Sequence, residues 1–148
     1  ERCMAQYQAR VSGPLLDRID IAIDVPAVTA ADLIRPAAGE SSAMVAARVA
    51  TARHIQASRF ESLGLGHVMT NAACPVSVIE EVARPDNAGL ALLRDAAEAL
   101  RLTARAYHRV LKVARTLADL DGEAKVGRCH LAEALSYRAR GEELVQAA

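Results

Sequence analysis

Two groups of arginines carry most of the chemistry this sequence could perform. The first is Arg18, flanked by Asp17 and Asp20 where a turn meets an alternating run. The second is a basic series, Arg101, Arg105, His108, Arg109, Lys112 and Arg115, that recurs at helical spacing. A guanidinium is planar, permanently charged and shaped to grip carboxylate or phosphate oxygens. Both groups therefore admit two readings: solvated side chains paired with nearby carboxylates, or contacts to phosphate. Other chemistries find less support. No Ser/His/Asp or Cys/His set is recognisable, because spacing alone does not assemble one. His108 and His130 read as partly buried polar residues, and no further His, Asp or Glu recurs at metal-ligand spacing. Gly64 and Gly66 follow no strand and lack a third glycine, which excludes a dinucleotide loop.

Composition narrows the classes further. Of 148 residues, 52% are hydrophobic and 24% charged, as in an ordinary globular protein with one moderate core or two small pieces. Aromatics reach only 3% and tryptophan is absent, which favours helices packed through alanine and aliphatic side chains. Lysine plus arginine and aspartate plus glutamate both total 18, so global charge selects no partner and only a local patch could. Cys3, Cys74 and Cys129 are odd in number and far apart, which argues against a disulfide framework and for a reducing, cytoplasmic setting. Cys3 alone cannot build a metal site. No run reaches transmembrane length and no signal peptide stands at the start, so no membrane partner is expected.

The elements that must position the two arginine groups can be read in order. Residues 1–10 suit a helix, with Met4, Tyr7 and Val11 at spacings of three and four. Gly13-Pro14 opens a short helical turn, and Ile19, Ile21, Ile23 and Val25 then alternate with Asp20, Ala22 and Asp24. That period of two predicts a β-strand with one buried face, ended by Pro26. A short segment from Thr29 leads to a linker at Pro36 and Gly39. A long helix follows from Ser41–Ser42 to about Phe60, with Val45, Val49, Ala52, Ile55, Gln56 and Phe60 inward and Arg48, Arg53 and Arg59 outward. Further helices are expected over 75–83, 88–100, 103–120 and 128–140. Their punctuation is Arg84-Pro85-Asp86-Asn87, the cap Thr103, the stop Asp121-Gly122, and Gly127. In the 103–120 helix, Tyr107, Val110, Leu111, Ala114 and Leu117 face the core and the basic series faces away.

Two runs make the sequence resemble a known family. SGPLLDRIDIAIDVP around Arg18 and TARAYHRVLKVARTLADL around Arg105 are similar to the magnesium-chelatase-like AAA+ ATPases of the ComM/YifB group. The resemblance implies a mainly α fold: a lid-type helical bundle preceded by a remnant of the α/β ATPase core, its helix and last strand. Residues 1–36 would be the end of the core, 40–141 the helical lid, and 142–148 a frayed tail. It further implies that Arg18 is the arginine finger, acting in trans on the γ-phosphoryl group of a neighbouring subunit's nucleotide. Arg105 corresponds to the sensor-2 arginine, reaching nucleotide phosphate from the first turn of its helix. ATP and Mg²⁺ would serve the full-length protein, a hexameric ring and a DNA motor in recombination or natural transformation.

The sequence departs from that family in what it lacks. It has no G-x-x-x-x-G-K-[ST] phosphate loop and no hydrophobic strand ending in paired acids for a magnesium site, so it is expected to bind no cofactor alone and to be catalytically inert. Two alternatives stand beside this reading. One is a nucleic-acid-binding helical module that places Arg109, Lys112 and Arg115 on phosphates, opposed by zero net charge and scarce aromatics for base stacking. The other is the ATPase subunit of a magnesium chelatase. A plain interaction bundle is the least specific possibility.

Overall fold

The computed structural model describes residues 18–30, 34 and 39–146, with side chains through 138. The helix expected over residues 1–10 and most of the short segment after Thr29 lie outside the described residues. Five α-helices are bounded among the described residues: α1 (Ser42–Ser62), α2 (Val76–Val82), α3 (Asn87–Ala99), α4 (Ala104–Leu120) and α5 (Arg128–Gln146), with a 3₁₀ turn at Asn71–Ala73 before α2. Their starts carry the caps that the sequence signals. The side chains of Ser41, Asp86 and Thr103 accept from Met44, Gly89 and Ala106 N–H at 3.3, 2.7 and 3.2 Å. At α5 the roles reverse: His130 Nδ1 accepts the Gly127 N–H at 2.9 Å, so the imidazole does what a glutamate does in a capping box.

Three helices end in the same way. After α1 and α4 the chain turns through Gly64 and Gly122 with φ of 71° and 73°. Leu65 N–H then reaches Phe60 O at 2.8 Å, and Glu123 N–H reaches Ala118 O at 2.8 Å. After α3 the same closure, Leu102 N–H to Ala97 O at 3.0 Å, turns on Arg101 at φ 48°, a left-handed position that favours glycine.

α4 is the central element. It packs against α1, α2, α5 and the 3₁₀ turn, while α3 lies on α5. Phe60, Ile79, Leu93, Leu111, Val126 and Leu131 form the buried centre, joined by the small side chains Ala83, Ala114, Ala118 and Ala134. Small residues let the helices approach closely. At Gly89 a Cβ would lie 2.8 Å from Leu131 Cδ1, so glycine there is what admits α3 onto α5. The loops before α3 and α5 are tied by a bridge between Pro85 and Val126 and by Asp86 N–H to Val126 O at 3.2 Å.

Several expectations are corrected. Ile19–Val25 forms no strand: the run has no ladder partner among the described residues, and Ile19, Ile21, Ile23 and Val25 are 43%, 51%, 60% and 81% exposed. A β-strand is a tertiary object, and alternation supplies only its side-chain half. The segment instead crosses the bundle through Ala22 N–H to Tyr137 O at 3.3 Å. On α1, Ala52, Gln56 and Phe60 are buried as expected but Val45 and Val49 are exposed. Leu90, expected inward, is also exposed. α5 runs to Gln146, past the stop expected near Arg140 and through the stretch expected to fray. Gly141 within it weakens a helix by only about 1 kcal/mol relative to alanine.

Candidate functional site

The basic series on α4 separates into different environments. Arg105 stands in the first turn, one residue beyond Ala104, exposed and without an ion pair or hydrogen bond to another described residue. That turn contains no acidic residue. Beyond the Ala106 N–H that Thr103 caps, its first N–H groups and the helix dipole leave a positive end with no carboxylate of that turn to neutralise it. Arg109, one turn along, holds Asp20 at 3.0 Å. This contact lays the segment carrying Arg18 against α4, one helical turn from Arg105. Arg18 is exposed and, like Arg105, pairs with no described residue.

Lys112 and Arg115 serve the fold. Lys112 Nζ donates to Ala72 O at 2.8 Å, closing the 3₁₀ turn with a charge-assisted bond. Arg115 was expected on the solvated basic face, and there the structure corrects the sequence, since it is 1% exposed. Its Nε and Nη2 reach Asp119 Oδ1 at 3.1 and 3.0 Å, Nη1 donates to Ala124 O at 2.8 Å, and Nη2 also donates to Glu123 O. The side chain therefore anchors the α4–α5 loop from below, and it cannot reach a nucleic-acid phosphate from this position.

Arg59 is corrected as well. Expected outward on α1, it pairs with Asp119, donating to Oδ1 and, at 3.1 Å, to Oδ2. Asn71 Nδ2 adds a bond to Asp119 Oδ2 at 2.8 Å, and Asn71 N–H donates to Gln56 Oε1 at 3.3 Å. One buried carboxylate thus gathers α1, the 3₁₀ turn and α4. Burial pushes the Arg115 guanidinium below its usual range, Asp119 draws it back up, and Arg59 lowers it again. Arginine retains its charge through such shifts, so two cations share one anion here. Sequence reasoning missed this network. Its one visible trace is the i,i+4 spacing of Arg115 and Asp119 on a face otherwise filled by Ala114 and Ala118.

Among the described residues the remaining titratable groups build no second site. His108 Nε2 lies 3.2 Å from Glu80 Oε1, and its ring meets Tyr107 edge-on at 5.4 Å. Burial and the Glu80 charge both push the Tyr107 hydroxyl above its ordinary range. Cys74 is buried and Cys129 exposed, both as free thiols. Burial raises the Cys74 thiol, against the pull of Lys112 and Arg59. Among the described residues no group of His, Cys, Asp and Glu could hold a metal ion, and no helix is long and apolar enough to cross a membrane.

Comparison with known proteins places this arrangement. Residues 39–138, more than half of the chain, match the family described as magnesium chelatase, subunit ChlI C-terminal. The chain belongs to this family. Residues 1–33 match a second description, magnesium chelatase, subunit ChlI, so the ChlI C-terminal bundle is entered directly from a ChlI-type segment. Competence protein ComM of Haemophilus influenzae is 41% identical over 135 residues, covering 90% of this chain and 25% of that protein. The uncharacterized protein YifB of Escherichia coli is 38% identical over 135 residues, covering 90% of this chain and 25% of its own length. An uncharacterized protein of Mycobacterium tuberculosis is 37% identical over 136 residues, 92% of this chain and 26% of the relative. The chain spans about a quarter of the length of these curated relatives.

Proposed function

We propose that this chain is the lid and arginine-finger portion of a ring-forming AAA+ ATPase, a DNA motor serving competence or recombination. The observation that carries the reading is the isolation of Arg105. Its neighbours Arg109, Lys112 and Arg115 are each committed to a partner, whereas Arg105 projects from the positive end of a seventeen-residue helix with no partner among the described residues. A long cation at a helix N-terminus is matched to phosphate oxygens. The Asp20–Arg109 pair brings the Arg18 segment to the same end of the bundle, so both guanidinium groups can serve nucleotide chemistry near one another. Membership in the ChlI family and likeness to a competence protein agree with this reading.

The roles follow from guanidinium chemistry. Arg18 would neutralise charge developing on the transferring phosphoryl group, and Arg105 would hold and orient phosphate oxygens from its rigid platform. Magnesium would neutralise phosphate charge in the complete protein, but the described residues of this chain offer it no ligand cluster. The sequence likewise contains no G-x-x-x-x-G-K-[ST] phosphate loop. By itself the chain should neither hydrolyse ATP nor bind it at micromolar concentration. The nucleic-acid-module reading loses Arg115 to burial, and Arg109 and Lys112 to Asp20 and Ala72 O.

The test is steady-state ATP hydrolysis by the complete protein. Arg18→Ala should lower turnover by about 10³-fold or more while nucleotide binding stays nearly intact, and Arg18→Lys should restore little. Mixing Arg18→Ala subunits with a phosphate-loop variant should recover turnover if the finger acts across subunits. Normal hydrolysis by Arg18→Ala would sink the assignment.

A further inference from the structure

The first helix extends beyond the bundle while keeping its apolar stripe. Along α1, Val45, Val49, Ala52, Gln56 and Phe60 share one face by their spacing of three and four. The last three are 3%, 2% and 0% exposed, whereas Val45 and Val49 are 37% and 42% exposed and Met44 beside them 61%. All ten residues of 42–51 are exposed. At about 1.5 Å per residue, the overhang projects roughly 15 Å past the covered half. Local bonds maintain it: the Ser41 cap, and a bidentate pair in which Arg48 donates to both Glu40 oxygens at 2.9 Å. A helix held by such local bonds with an unspent apolar stripe is shaped to receive another body.

We propose that this overhang is the docking face for the ChlI-type domain to which residues 1–33 belong. Three observations select that occupant over a second copy of the bundle. The ChlI match ends at residue 33 and the bundle match begins at 39, a gap that even fully extended chain, at about 3.5 Å per residue, spans in only about 20 Å. The end of the ChlI match therefore lies within about 20 Å of the start of the bundle match, just ahead of α1. The chain covers about a quarter of the curated relatives, so ample polypeptide exists to fill the face. Within the ChlI match, Ile19 to Val25 itself carries an uncovered apolar row, a second face of the same match left to pack against. The docking fixes the bundle's orientation on the domain, a role distinct from the phosphate contacts of Arg18 and Arg105.

Hydrogen exchange read by mass spectrometry tests this, comparing the 148-residue chain with the complete protein at concentrations where both are monomeric. Peptides covering 44–51 should exchange at least tenfold more slowly in the complete protein, and those covering 52–60 should change little. The double variant Val45→Asp/Val49→Asp should abolish the added protection in the complete protein. Because both positions are exposed in the bundle, the variant should leave the melting temperature of the 148-residue chain unchanged, which separates loss of docking from failure to fold. Equal exchange at 44–51 in the two proteins would overturn the proposal. So would protection that appears only as protein concentration rises, which would mark a second copy as the occupant. Loss of ATP hydrolysis in Arg18→Ala leaves these readouts untouched, so the docking inference and the catalytic one stand or fall separately.

Discussion

The two ends of α4 hold arginines of equal charge in opposite circumstances. At its start Arg105 is exposed and pairs with no described residue, and near its end Arg115 is buried beneath the α4–α5 loop, bonded to Asp119 and to two backbone carbonyls. Desolvating a guanidinium is costly unless nearly every donor finds an acceptor, and Arg115 meets that condition while Arg105 avoids the cost by remaining in water. Charge along a helix therefore does not define a binding face. What distinguishes a residue available for a ligand is that the fold has left its donors unused.

The contrast is broken most directly at the buried end. Arg115→Ala should cost about 3–5 kcal/mol, because it removes the anchor of the α4–α5 loop and one of the two cations on a buried carboxylate. Chemical denaturation of the 148-residue chain measures this, and a loss under about 1 kcal/mol would show that the network is dispensable. Lys112→Met keeps most of the aliphatic stem but deletes the bond to Ala72 O, and should cost about 1 kcal/mol. Its effect should concentrate in the 3₁₀ turn, visible as faster amide exchange over residues 71–74.

Just ahead of α4, Arg101→Gly should stabilise the chain by about 0.5–1 kcal/mol, since glycine adopts the left-handed backbone without strain. Gly64 and Gly122 already fill the matching positions after α1 and α4. A destabilised Arg101→Gly would mean that the arginine side chain contributes more than its backbone costs. The smallest effect on stability belongs to the exposed end: Arg105→Ala should change unfolding free energy by no more than about 0.5 kcal/mol. In the complete protein the same substitution should nevertheless lower ATP hydrolysis severalfold or more. A stable variant with full activity would leave Arg105 a plain surface residue.

Much of the bundle was legible in the sequence because its signals are local. Thr103 and Ser41 cap the helices they were read to open, Asp86 caps α3 from within the break read before it, and Gly122 ends α4 where Asp121-Gly122 placed the stop. Apolar spacing of three and four identified Phe60, Leu93, Val110 and Leu111 as core, because a helix fixes its own faces without reference to any partner. The family, too, was legible from the two runs around Arg18 and Arg105.

Tertiary structure alone decided which polar groups were spent. Arg59 and Arg115 read as outward cations because a carboxylate sixty positions along the chain from Arg59 cannot be seen as its partner until the helices pack. Val45 and Val49 read as core because periodicity reports that a face is apolar and is silent on whether anything covers it. Ile19 to Val25 read as a strand for a related reason: alternation specifies side chains, while the ladder requires backbone donors and acceptors on a neighbouring chain segment. In each case the sequence determined what a residue could do, and the long-range contacts settled which of those possibilities was used.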